Sequence, residues 1–90
     1  MPNESVVIIN KRGLHARASA KFVNFVSELP EHLAVSVGKD GTYAAGGSIL
    51  GLMMLGAAKG DSIEIDVDGD GAAEALASLV ELVRTGFGEE

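Results

Sequence analysis

The stretch Gly13-Leu14-His15-Ala16-Arg17 sets an imidazole and a guanidinium two residues apart. A neutral ring nitrogen is a nucleophile, and a fixed positive charge beside it suits an anionic reactant. What surrounds the pair decides whether that chemistry is available. The apolar run Val6-Val7-Ile8-Ile9 precedes it, followed by the turn-forming Asn10-Lys11-Arg12-Gly13. From Ala16 onward, Ala18, Phe22, Phe25, Val26 and Leu29 recur at the spacing of one helix face. His15 therefore falls where a strand has ended and a helix begins, beside unpaired N–H groups and the positive end of the helix dipole. Phosphoryl transfer fits this setting. The ring nitrogen attacks phosphorus, while the Arg17 side chain and the backbone N–H groups of Ala16 and Arg17 take up charge on the oxygens. A cation in a helix's first turn costs about 0.3–1 kcal/mol, a cost easier to understand if an anion visits. His32, after Pro30-Glu31, has no such setting and reads as solvated.

Three further groups of residues stand out. Lys11, Arg12, Arg17 and Lys21 are four of only seven Lys and Arg in a chain of formal charge −6. Gathered around His15, they form a positive island suited to acidic partners, with Arg12 and Lys21 as contact residues. Ser48 precedes an apolar helix and is a natural N-cap. Ile49, Leu50, Leu52, Met53, Met54 and Leu55 make that helix apolar almost all round. So small a domain cannot bury all of them, and exposed surface containing Met suits binding to several partners in turn. Two other motifs fail. Asp66-Val67-Asp68-Gly69-Asp70-Gly71 begins like a calcium loop, but the twelfth position is Ala77 and not glutamate; a turn with an Asp70 cap explains it better. Gly38-Lys39-Asp40-Gly41 lacks the ending of a phosphate-binding loop and the helix behind it. No metal or cofactor is expected.

Composition bounds the rest. Ninety residues, 47% hydrophobic and 22% charged, make one ordinary globular domain spanning 1–90. With no cysteine, thiol chemistry and disulfides are out. Strong negative charge argues against nucleic acid, and no apolar run approaches the ~20 residues of a membrane span. Met1-Pro2-Asn3-Glu4 is unlike a secretory signal, so a cytoplasmic protein is expected.

The elements that hold these residues follow in order. Ser5 to Asn10 reads as a strand, and the helix from Ala16 runs to about Glu28, closed by Leu29-Pro30. Leu33, Val35 and Val37 alternate as a second strand, joined by the turn Gly38–Gly41 to a short third strand, Thr42–Ala45. After Gly46-Gly47 the Ser48-capped helix ends near Gly56. Ile63, Ile65 and Val67 alternate with Ser62, Glu64 and Asp66, the pattern of a sheet packed on one face and wet on the other. Leu76, Leu79, Val80, Val83 and Phe87 form the stripe of a last helix, and Glu89-Glu90 reads as a frayed tail. The order βαββαβα implies an α+β open-faced two-layer sandwich, with a four-stranded mainly antiparallel sheet covered on one face by three helices.

The motif Gly13-Leu14-His15-Ala16-Arg17 resembles the active-site segment of the HPr family, the histidine-containing phosphocarriers of the bacterial phosphoenolpyruvate phosphotransferase system. A second segment, Ser48-Ile49-Leu50-Gly51-Leu52-Met53 through Leu55-Gly56-Ala57-Ala58-Lys59-Gly60, resembles that family's regulatory-serine region. The likeness runs from about Ser5 to the last helix. It implies the same fold, and Nδ1 of His15 as the atom that accepts a phosphoryl group from Enzyme I and passes it to an enzyme IIA-type acceptor. It also implies Ser48 as a substrate of HPr kinase/phosphorylase, partner contacts through Ile49, Leu50 and Met53, and Leu52 and Leu55 in the core; a monomer is expected. Ala18 departs from the proline that many sugar-transporting members carry there. The acceptor's branch, sugar transport or nitrogen regulation, is not written in these residues. A reading from another class, a stand-alone α+β regulatory or ligand-binding module, satisfies the composition and strand order equally but leaves the Gly-Leu-His-Ala-Arg turn unexplained.

Overall fold

The structure, a computed structural model, describes residues 2–89. Strands β1 (Asn3–Val7), β2 (Ala34–Lys39), β3 (Thr42–Ala45) and β4 (Ser62–Asp68) form one sheet. Helices α1 (Ala16–Ser27), α2 (Ile49–Met54) and α3 (Ala72–Arg84) lie between and after them. Spatial order is β1-β4-β2-β3, and all three pairings are antiparallel. The expected βαββαβα sandwich is the observed one. Among the described residues no helix is long and apolar enough to cross a membrane.

The alternation along β4 organises the packing. Ile63, Ile65 and Val67 are buried with Val6 and Val37, and this face is covered by Phe22 from α1, Leu52 from α2, and Leu76, Leu79, Val80 and Val83 from α3. The opposite face is polar and partly exposed: Ser5 pairs with Glu64, and Asp66 lies between Asn3 and Ser36. Tyr43 stands on that face, where its hydroxyl donates to Glu64 Oε1 at 3.2 Å. The Glu64 carboxylate, first by its charge and then by accepting this bond, disfavours the phenolate and raises the Tyr43 pKa.

Several boundaries and roles differ from the sequence expectation. β1 spans Asn3–Val7, where Ser5–Asn10 was expected, because the ladder with β4 ends at Val7↔Ser62. Ile8 keeps two backbone bonds beyond it, donating to Asp61 O and accepting from Gly60 N–H, both at 2.8 Å. Phe87 is not on α3. That helix stops at Arg84, and the chain reverses through a 3₁₀ turn, Gly86–Gly88, with φ of +71° at Gly86 and +59° at Phe87. The reversal carries the Phe87 ring back into the core. Asp70 caps nothing: the N-cap of α3 is Gly71, and the Asp70 carbonyl instead accepts from His32 Nε2–H at 2.8 Å. His32 is thus exposed but tied to the loop before α3.

Candidate functional site

The turn that presents His15 is built by Asn10 and Gly13. Gly13 N–H donates to Asn10 O at 3.2 Å, and the buried Asn10 side chain returns a bond from Nδ2 to Gly13 O at 2.9 Å. Gly13 has φ +60°, and a Cβ there would lie 2.3 Å from Ala57 O and 2.8 Å from Ala58 Cα. Only glycine lets the turn press against the segment following α2, where Leu14 N–H donates to Ala57 O at 3.0 Å. The side of the sandwich that carries His15 therefore also carries α2.

His15 is the N-cap of α1, with extended backbone (φ −75°, ψ −177°), and its carbonyl accepts the first helical bond, from Ser19 N–H at 2.9 Å. Its Nδ1 accepts a bond from Arg17 N–H at 3.3 Å. Nε2 lies 3.0 and 3.2 Å from the two carboxylate oxygens of Glu89. This network assigns the tautomer: Nε2 carries the proton and donates it to Glu89, and Nδ1 keeps its lone pair. Nδ1 thus faces the N-terminus of α1, where first-turn N–H groups favour an anion.

Glu89, expected in a frayed tail, is the main correction at the site; Glu90 lies outside the described residues. The Glu89 side chain is only 15% exposed. Its Oε1 accepts from Asn10 Nδ2 at 3.1 Å and its Oε2 lies 4.0 Å from Arg17 Nε. The hydrogen bond from His15, followed by those from Asn10 and the nearby Arg17 charge, holds its carboxyl below the usual carboxylate range against the opposing effect of partial burial. Lys21 reaches the same segment, donating from Nζ to Phe87 O at 2.8 Å. Asn10 and Glu89 escaped the sequence reading because their contacts with each other and with His15 span 79 and 74 residues. The buried aromatic Phe87 between glycines is the one local signal that this terminus is held down.

The four expected cations do converge. Lys11, Arg12, Arg17 and Lys21, with Gly88 and Glu89, line an open depression of about 410 Å³ beside the ring. The Arg17 side chain is well exposed, with Nε 4.0 Å from Glu89 Oε2. On α2, Ser48 Oγ accepts from Gly51 N–H at 2.9 Å, so Ser48 is the N-cap. Leu52 and Leu55 are buried, whereas Ile49, Leu50 and Met53 are exposed, as their assignments require. Met54, whose direction the sequence leaves unsettled, is the most exposed large apolar residue of the chain's described part, at 76%.

The family model described as "PTS HPr component phosphorylation site" matches residues 2–85. The chain is 47% identical over 89 residues to the phosphocarrier protein HPr of Neisseria meningitidis, covering 99% of this chain and 98% of that one. It is 43% identical over 90 residues to the HPr of Pseudomonas aeruginosa, with 99% and 98% covered. Among solved structures, HPr from Thermoanaerobacter tengcongensis superposes with a TM-score of 0.91 at 38% identity, covering 100% of this chain and 99% of that one.

Proposed function

The chain belongs to the HPr family of the phosphotransferase system, and from that premise we propose that His15 Nδ1 is its phosphoryl-carrying atom. Enzyme I is the donor and an enzyme IIA-type protein the acceptor. The observation that carries this reading is the state of the ring: Nδ1 is unprotonated and turned to the start of α1, and Nε2 is occupied by Glu89.

In the transfer step the Nδ1 lone pair attacks phosphorus, and the bond from phosphorus to the donor's leaving atom breaks with its electron pair. The Arg17 N–H that now rests on Nδ1 loses that acceptor as the N–P bond forms and becomes free for a phosphoryl oxygen. Ala16 N–H lies on the same first turn, and the Arg17 guanidinium supplies mobile positive charge. The depression lined by Lys11, Arg12 and Lys21 attracts acidic partner surface, and exposed Ile49, Leu50 and Met53 supply apolar contact on the same side. The protein acts as a monomer of one domain, in the cytoplasm, as a carrier that turns over no substrate alone.

Ser48 is the regulatory residue of this reading, a target for HPr kinase/phosphorylase. A phosphate there adds about −1.5 to −2 charge at pH 7 beside the apolar contact surface. The cap position tolerates an anion, so docking weakens without refolding.

The test is a relay. Enzyme I, phosphoenolpyruvate and a IIA-type acceptor are mixed with catalytic amounts of this chain, and acceptor phosphorylation is followed. Transfer that depends on the chain and disappears with His15→Ala is expected. Acceptor labelling unchanged without the chain, or undiminished by His15→Ala, overturns the reading.

A further inference from the structure

We propose that Glu89, aimed by Asn10, is a positioning residue for phosphoryl transfer at His15: it holds the Nε2 proton, keeps Nδ1 as the nucleophile, and offsets the positive charge the ring acquires when Nδ1 bonds phosphorus. The inference rests on the phosphocarrier reading and adds to it a residue from the far end of the chain.

The carboxylate is held by a built scaffold. Phe87 is buried behind it, in a left-handed backbone conformation that non-glycine residues adopt only where packing compels it. Glu89 N–H donates to Gly86 O at 2.9 Å, and Lys21 fixes Phe87 O. Asn10 supplies the aim. Its Nδ2 donates both to Gly13 O, in the turn that presents His15, and to Glu89 Oε1. Both partners are acceptors, which fixes the amide's orientation, and Asn10 Oδ1 is left buried without a partner. A buried acceptor left unpaired is unfavourable, so this asparagine is poorly explained as filler. It is explained as the group that ties the active-site turn to the carboxylate.

The chemistry follows from the charge balance. Neutral His15 carries one proton, on Nε2. When Nδ1 attacks an N-phosphoryl donor, the N–P bond to the donor breaks and its electron pair leaves on the donor nitrogen. The product ring bears phosphorus on Nδ1 and hydrogen on Nε2, and is cationic. A carboxylate 3.0 Å from Nε2 stabilises that cation more than the neutral ring that preceded it. In the reverse direction the same contact keeps Nε2 protonated, so that Nδ1 departs as the leaving nitrogen of a neutral imidazole. Because Arg17 N–H also marks Nδ1 as the acceptor, losing Glu89 weakens the site without abolishing it.

The experiment compares wild type, Glu89→Gln and Glu89→Asp with phosphoramidate, a small N-phosphoryl donor that needs no protein docking, and separately with phosphorylated Enzyme I. The Glu89→Gln variant should accept phosphate roughly tenfold more slowly from both donors, the scale of one lost charge-assisted hydrogen bond. Its KM for Enzyme I should not rise, because losing the Glu89 charge leaves the cationic depression more positive, and its thermal melt should stay close to wild type. Hydrolysis of its phosphohistidine should depend on pH with a midpoint displaced to lower pH, because Nε2 no longer faces a carboxylate. Glu89→Asp should recover part of both effects. A purely structural role would not move the hydrolysis midpoint. Wild-type rate and midpoint in Glu89→Gln overturn this inference alone. A wild-type protein labelled by phosphoramidate but never by Enzyme I overturns the phosphocarrier reading instead.

Discussion

Replacing Gly13 by alanine should disturb the turn that presents His15 by an amount the structure allows one to set. Two costs act there. The residue sits at φ +60°, and the left-handed region costs an L-residue about 1–2 kcal/mol. The new Cβ would also lie 2.3 Å from Ala57 O and 2.8 Å from Ala58 Cα. Both are backbone atoms, so the turn and the segment after α2 must separate, losing the Leu14 N–H to Ala57 O bond. With that bond at about 1 kcal/mol, the whole effect is about 3 kcal/mol, or a fall of roughly 15 °C in Tm for a domain of this size. Gly41 is the control, since φ is +85° there and nothing lies within 4 Å of a Cβ. Gly41→Ala should show the backbone cost alone, lowering Tm by about 5–10 °C. Thermal melts by circular dichroism, paired with the rate of His15 phosphorylation, make the comparison. Gly13→Ala should melt lower and accept phosphate more slowly than Gly41→Ala. Equal melts and equal rates for the two variants would refute the close-approach argument.

Three other outcomes are expected. Ser48→Ala should lose the bond to Gly51 N–H and about 1 kcal/mol, whereas Ser48→Asp should keep its melt and raise the KM for Enzyme I; wild-type KM in the aspartate variant would reduce Ser48 to a helix cap. Arg12→Glu should slow transfer from Enzyme I mainly at low salt, where screening is weak, and equal slowing at every ionic strength would rule out steering. Tyr43, the chain's single tyrosine, should titrate at lower pH in Glu64→Gln, read by ultraviolet absorbance. Its folded pKa is raised, so its share of stability is intact below the unfolded value of about 10 and lost as pH climbs through the folded value. Glu64→Gln should flatten that alkaline loss, and an unmoved titration would deny the contact.

The parts of the fold governed by local periodicity were readable in the chain. The alternation through Ile63, Ile65 and Val67 gave the buried face of β4, and Ala18 with Phe22 gave that of α1. His15 could be placed because a turn signal and a helical stripe meet there, and a helix start has the same unpaired donors in any protein. What local patterns hid was the return of the chain's end. Phe87 stands four residues beyond Val83, so its burial continued the α3 stripe, although Gly86 and Phe87 had left the helix. Once the helix is taken to run on, Glu89 falls in solvent. Only the reversal at Gly86 turns the carboxylate towards Asn10 and His15, and that depends on core packing between distant segments. Asp70 misled in a similar way: an aspartate before a helix suggests a cap, but left-handed Gly71 took that position.

Phosphoryl carriage by this chain turns on one atom, Nδ1 of His15. After phosphorylation with Enzyme I and phosphoenolpyruvate, nitrogen-15 and phosphorus-31 NMR can identify which nitrogen of which ring carries the phosphoryl group. The prediction is phosphorus on Nδ1 of His15, with His32 unmodified. Phosphorus on Nε2 of His15 or on His32, or a protein that takes up none, would contradict it.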